Sequence, residues 1–143
     1  MSPATSDVAA RLASFFQTSR RPGLVSAYLF GSLARHASHR ESDVDVAVLL
    51  DVRIFPAAQQ RFEARVDLIG ALASALAIPE VDLVILNDAP PHLARRILTE
   101  GTRVFCADAE GDHAARRTAL LRAADLEPFL RRARAIKLRA IAR

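Results

Sequence analysis

The spacing of apolar and polar positions changes several times along the chain, and each change marks an element. Val8, Leu12, Phe15 and Phe16 recur at helical spacing behind Ser6, a good cap, so the pattern predicts a first helix over about residues 7–18. Arg21-Pro22-Gly23 ends it, and the run from Leu24 to Phe30, rich in strand formers, predicts the first strand. A tight turn at Gly31 is expected to lead into a short helix. Asp43-Val44-Asp45-Val46-Ala47-Val48-Leu49-Leu50 predicts a second strand whose side chains alternate between two faces. Pro56 opens a helix with Phe62, Val66, Ile69, Ala73 and Leu76 at spacings of three and four, and Ile78-Pro79 closes it. A short strand follows from Glu80 to Leu86. Pro90-Pro91 then opens a helix that Gly101 terminates, and Thr102 to Cys106 supplies a last strand. Beyond it lies a helical tail in which Pro128 is expected to kink the helix or divide it in two. This order predicts an α/β (α+β) fold: a small mixed sheet with packed helices and a C-terminal helical tail.

The chemistry is concentrated where strands begin and end. Gly31 and Ser32 sit where the first strand turns toward a helix. Gly31 lets a ligand approach the backbone, Ser32 offers a hydroxyl, and the amides opening a helix are unsatisfied donors, a combination suited to phosphate. Ser32 could equally cap that helix, and the same hydroxyl serves both roles in different ligand states. Arg35 lies one turn further on, within reach of a phosphate or solvated. Asp43 and Asp45, two apart on one strand, project from the same side, and two carboxylates so placed repel each other without a cation. Asp82, near the start of the next strand, can face the same cleft if the strands are neighbours. Three carboxylates without a Cys or His cluster favour a hard cation, Mg²⁺ or Mn²⁺, and two such ions about 3.5 to 4 Å apart could bind a triphosphate and activate a hydroxyl.

These residues carry a family resemblance. Gly31-Ser32-Leu33-Ala34-Arg35, Ser42-Asp43-Val44-Asp45-Val46-Ala47-Val48-Leu49, Val81-Asp82-Leu83-Val84 and Leu86-Asn87-Asp88-Ala89-Pro90-Pro91 resemble the motifs of minimal nucleotidyltransferases of the polymerase-beta superfamily. The resemblance is closer still to the antitoxin members of that superfamily that are paired with HEPN toxins. One departure is His36, where relatives often carry Gly after the Arg of the first motif. The resemblance implies a polymerase-beta-like nucleotidyltransferase fold and Mg²⁺-dependent transfer of AMP from ATP to a tyrosine of a HEPN ribonuclease toxin, in a hetero-oligomer with that toxin. Asp43, Asp45 and Asp82 would be the catalytic and metal-binding residues, and Gly31, Ser32 and Arg35 would bind the nucleotide. Two alternatives stay open: an antitoxin that acts by binding alone, and a nucleotidyltransferase acting on a small molecule such as an antibiotic. The latter enzymes usually carry a sizeable second domain.

Composition narrows the setting. At 143 residues the chain is long enough for one domain with a real core, read as a minimal nucleotidyltransferase domain over 1–111 and a basic helical extension over 112–143. Charges interrupt every apolar stretch, so no membrane span is expected. The first residues lack a basic start followed by an apolar block, so no signal peptide is expected, and a lone Cys106 allows no internal disulfide; together these predict a cytoplasmic protein. The tail from Asp112 onward holds nine Lys or Arg against three acids, whereas the preceding part holds eleven against thirteen. The basic excess therefore belongs to the tail. Phe129, Ala133, Ile136 and Ala140 recur there at spacings of three and four beside arginines, a pattern for holding a protein partner. With Phe129 the only aromatic residue in the tail, direct nucleic-acid binding is not expected. The four histidines show no ligand spacing.

Overall fold

Seventeen residues from Pro3 to Ser19 form the first helix, α1, because Leu12 and Phe16, one turn apart, both find complete burial against the sheet. The computed structural model describes residues 3–31, 43–78 and 80–141, with side chains for all of these except 3–6 and 43. The further elements are β1 (Leu24–Phe30), β2 (Asp43–Leu50), α2 (Ala58–Leu76), β3 (Glu80–Ile85), α3 (Pro91–Glu100), β4 (Thr102–Cys106) and α4 (Ala109–Ile141). A 3₁₀ turn over Leu86–Asp88, which periodicity does not announce, joins β3 to α3. The short helix expected after Gly31 lies outside the described residues.

The strands form a four-stranded sheet in the order β3-β2-β1-β4. It is mixed, as expected: β1 runs antiparallel to β2 and β4, while β2 and β3 are parallel, with α2 as the crossover. Alternation along β2 gives the sheet two apolar faces. Val44, Val46, Val48 and Leu50 face α1 and α2 with Leu12, Phe16, Leu68 and Leu72. Ala47 and Leu49 face the other way, onto α3 and α4 with Tyr28, Ala94, Ile97 and Ala119. Asp43 and Asp45 share parity with Ala47 and Leu49, so the acids belong to the α3 and α4 face.

Two expectations change. In α2 the buried stripe is Leu68, Leu72 and Leu76, while Phe62 and Val66 are more than half exposed. Both stripes satisfy helical spacing, and contact with the sheet selects the leucines. In α4, of the two outcomes expected at Pro128, a kink or a division, the division does not occur: the chain continues as one 33-residue helix. The missing proline amide removes one hydrogen bond from a long helix, which the other turns sustain. Asp108 Oδ1 accepts from Gly111 N–H at 3.1 Å and caps its start.

The start of α4 is fastened to the sheet by a buried carboxylate. Asp112, 1% exposed, accepts from Ser26 Oγ and Tyr28 Oη at 2.6 Å each and from Arg103 at 3.1 Å. Burial alone would raise its pKa, but these donors, with the charge of Arg103, outweigh it and hold the carboxyl below its ordinary value. Tyr28 is shifted up, first by burial and then by its hydrogen bond to Asp112. From Leu126 onward α4 leaves the core: Phe129, Ile136, Leu138 and Ile141 are about two-thirds or more exposed.

Candidate functional site

The register of β2 and β3 places the acids. Asp45 pairs with Asp82 and Asp43 with Glu80, so four acidic positions stand side by side at the N-terminal ends of two parallel strands, on one face. Asp82 is exposed, and its side chain makes no hydrogen bond or ion pair with a described residue. Glu80 is exposed as well. It was not singled out from the sequence, although Glu80-Val81-Asp82 repeats the acid, apolar, acid pattern of Asp43-Val44-Asp45.

Across from β3, the end of β1 closes over Asp45. Phe30 pairs with Asp45, and the next residue, Gly31, turns with φ +80°. A side chain at Gly31 would have to stand where the Asp45 carboxylate is: its Cβ would lie 2.9 Å from Asp45 Cγ. Gly31 is therefore required twice, by a left-handed backbone and by the acid packed against it. Ser32 and Arg35, the other expected phosphate contacts, lie outside the described residues, as does His36. Asp43 is placed by its backbone alone.

Two depressions flank this acidic row. One, of about 210 Å³, lies between the end of β1 and α3, lined by Gly31, Phe30, Leu93, Arg96, Ile97 and Glu100. Arg96 and Glu100 form an exposed pair one turn apart at 3.4 Å. The other, of about 580 Å³, follows the free edge of β3 between α2 and the start of α3, and includes Asp82, Phe62, Arg65, Pro90 and Leu93. Leu93 belongs to both. A further cavity of about 540 Å³ at the far end of β2, near Leu49 and Asp51, does not include the acids. Two of its arginines are already engaged, Arg53 with Asp51 at 2.8 Å and Arg61 with Asp88 at 2.9 Å.

An all-oxygen donor set at Asp45 and Asp82, with Asp43 beginning the same strand on the same face, fits a hard divalent cation better than zinc. Among the described side chains, which exclude Asp43, no three His, Cys, Asp or Glu come together as a metal-binding group. Asn87 steadies the other end of β2. Its Oδ1 accepts from Leu50 N–H at 2.9 Å and its Nδ2 donates to Leu50 O at 2.8 Å, which extends the pairing of β2 beyond the end of β3. Among the described residues no helix is long and apolar enough to cross a membrane.

Comparison with known proteins agrees with this arrangement. Residues 11–110 match the family of polymerase beta nucleotidyltransferases. The chain is 38% identical over 84 residues to protein adenylyltransferase MntA of Shewanella oneidensis, a match covering 59% of this chain and 55% of that protein, so it spans about half the relative's length. In fold it resembles a chain of a toxin–antitoxin complex solved with AMP-PNP, at 27% identity and a TM-score of 0.66, covering 94% of this chain and 98% of that one. It has the same fold as a chain from the complex of tri-AMPylated Shewanella oneidensis HEPN toxin with MNT antitoxin, at 24% identity and a TM-score of 0.62, covering 97% and 99%. With the matched region spanning both acidic strands and the Gly31 turn, the chain belongs to the polymerase beta nucleotidyltransferase family.

Proposed function

We propose that this protein is an antitoxin that transfers AMP from ATP to a tyrosine of a HEPN ribonuclease toxin and so silences it. The observation that carries the proposal is the pairing of Asp45 with Asp82 beside the left-handed turn at Gly31, which brings an acidic pair to the end of β1. The MntA relative is named a protein adenylyltransferase, and similar folds occur in toxin–antitoxin complexes, one with AMP-PNP and one with an AMPylated toxin.

The division of labour follows from position. By the motif, Gly31, with Ser32 and Arg35 beyond it, receives the triphosphate. Asp43 and Asp45 would hold two Mg²⁺ ions, or Mn²⁺, with Asp82 contributing to one of them. Bound there, the ions would neutralise charge on the triphosphate and lower the pKa of the attacking hydroxyl. Asp82, exposed on the edge strand, takes the acceptor side and receives the phenolic proton. The tyrosine oxygen forms a bond to the α-phosphorus, the bond from that phosphorus to the bridging oxygen breaks, and pyrophosphate departs with the electron pair. The setting is cytoplasmic, where ATP and the toxin's RNA substrates are found.

The second reading, neutralisation by binding alone, draws on the exposed apolar stretch of α4. Residues 112–143 would hold the toxin in either case, leaving 1–111 to carry the nucleotide chemistry. The decisive experiment expresses the toxin with wild-type protein or with the Asp43→Asn, Asp45→Asn double variant. Binding without protection by the double variant is expected. Full protection would favour the binding reading.

A further inference from the structure

Resting on the transfer reading, we propose that the groove along the β3 edge is the docking site for the tyrosine-bearing segment of the acceptor, and that Phe62 selects the acceptor there. The two depressions beside the acids are not equivalent. The one that contains Gly31 is small and opens at the phosphate-binding turn. The one that contains Asp82 is more than twice as large and runs away from that turn. For an in-line displacement the acceptor hydroxyl must approach the transferred phosphorus from the side opposite the departing pyrophosphate. Leu93 lines both depressions, so the two adjoin.

The groove walls specify the chemistry of the occupant. Phe62, Pro90, Leu93 and Val84 offer an apolar bed, and Asp82 places a carboxylate on it. An aromatic ring bearing a hydroxyl matches both: the ring lies on the apolar wall and the hydroxyl meets the acid. Phe62 is 54% exposed, although it belongs to a helix with a well-buried leucine stripe. A large side chain left in water at the lip of a groove is available to a partner. The occupant does not simply extend the sheet. Arg65 Nε donates to Leu83 O at 2.7 Å, so a carbonyl of the edge strand is already taken and an added strand would have to displace Arg65. The acceptor segment is therefore held through its side chains.

The test compares Phe62→Ala with Val66→Ala. Val66 lies one turn further along α2, is 53% exposed, and does not line the groove. Because both side chains are exposed, both variants should fold, which thermal unfolding would verify. Steady-state AMP transfer is measured with ATP and cognate HEPN toxin, varying each in turn. Phe62→Ala is expected to raise KM for the toxin by roughly tenfold or more with KM for ATP unchanged, Phe62→Tyr to restore most of it, and Val66→Ala to match the wild type. If the wild type transfers AMP and Phe62→Ala has an unchanged toxin KM, the groove assignment falls while the transfer reading stands. If KM for ATP rises instead, the groove belongs to the nucleotide and the assignment is again overturned. If the wild type transfers nothing to the toxin, the transfer reading falls and takes the groove with it.

Discussion

Two acids on the same face of one sheet have opposite surroundings. Asp112 reaches the sheet from α4, is shut away from water, and is met by three donors, one of them the cation Arg103. Asp82 is exposed at the sheet edge, and its neighbour in register is another acid, Asp45. The first arrangement satisfies a buried charge and fixes a helix; the second sets acids side by side in register on two parallel strands. A buried carboxylate must be met by donors and so serves the fold, whereas an exposed one at the sheet edge is open to chemistry, which separates stability from function.

That contrast can be broken by exchanging which property each acid controls. Asp82→Asn is expected to lower turnover by roughly a hundredfold to ten-thousandfold with far less change in ATP affinity, because the nucleotide side of the site is intact. Chemical denaturation of the same variant should show unchanged or slightly raised metal-free stability. Asp112→Ala should do the reverse. Removing a buried carboxylate strands Tyr28, Ser26 and Arg103, at a cost of about 3 kcal/mol or more. A denaturation midpoint close to wild type would contradict the role given to Asp112.

The pH dependence of unfolding sharpens the comparison further. Asp112 binds protons more weakly in the folded protein than in the unfolded chain, so its contribution is complete above the ordinary carboxylate value of 3.8 and is lost as pH falls through its lower folded value. Tyr28 has the opposite sign. Its folded pKa is raised, so its contribution is complete below 10.0 and is lost as pH rises through the higher folded value. Asp112→Asn should flatten the acid limb, which calorimetric scans over pH would reveal. The smallest effect on stability is expected from removing residues 127–143. Phe129, Ile136, Leu138 and Ile141 are exposed, and among the described residues the ion pairs given up are those of Glu127 with His92 at 3.7 Å and with Arg131 at 3.4 Å. The unfolding midpoint should move little, while toxin pull-down should fail.

Much of this contrast is legible in the sequence, and the part that is not has a physical cause. The alternation of Asp43 to Leu50 fixes which face the acids share, because a strand has a period of two. The positions of Asp45 and Asp82, each near a strand's start, made their meeting expected, but the register itself depends on how α2 spans the crossover. Phe62 and Val66 looked like core since two overlapping helical stripes satisfy the same spacing, and only contact with the sheet separates them. Asp112 was counted with the tail's charges. Its partners Ser26 and Tyr28 are more than eighty positions away, where no local pattern can point to them. Ser32 and Arg35 rest on the motif and its chemistry.

If the Asp45 and Asp82 row transfers AMP, labelled ATP makes the transfer visible. Purified protein, Mg²⁺, ATP labelled at the α-phosphate and cognate HEPN toxin are combined, and the toxin is followed by gel and intact mass. Wild-type protein is expected to add label and the mass of AMP to a toxin tyrosine, while Asp45→Asn, still folded and still bound to the toxin, should add neither. Labelling by Asp45→Asn at the wild-type rate in saturating Mg²⁺ would contradict the account.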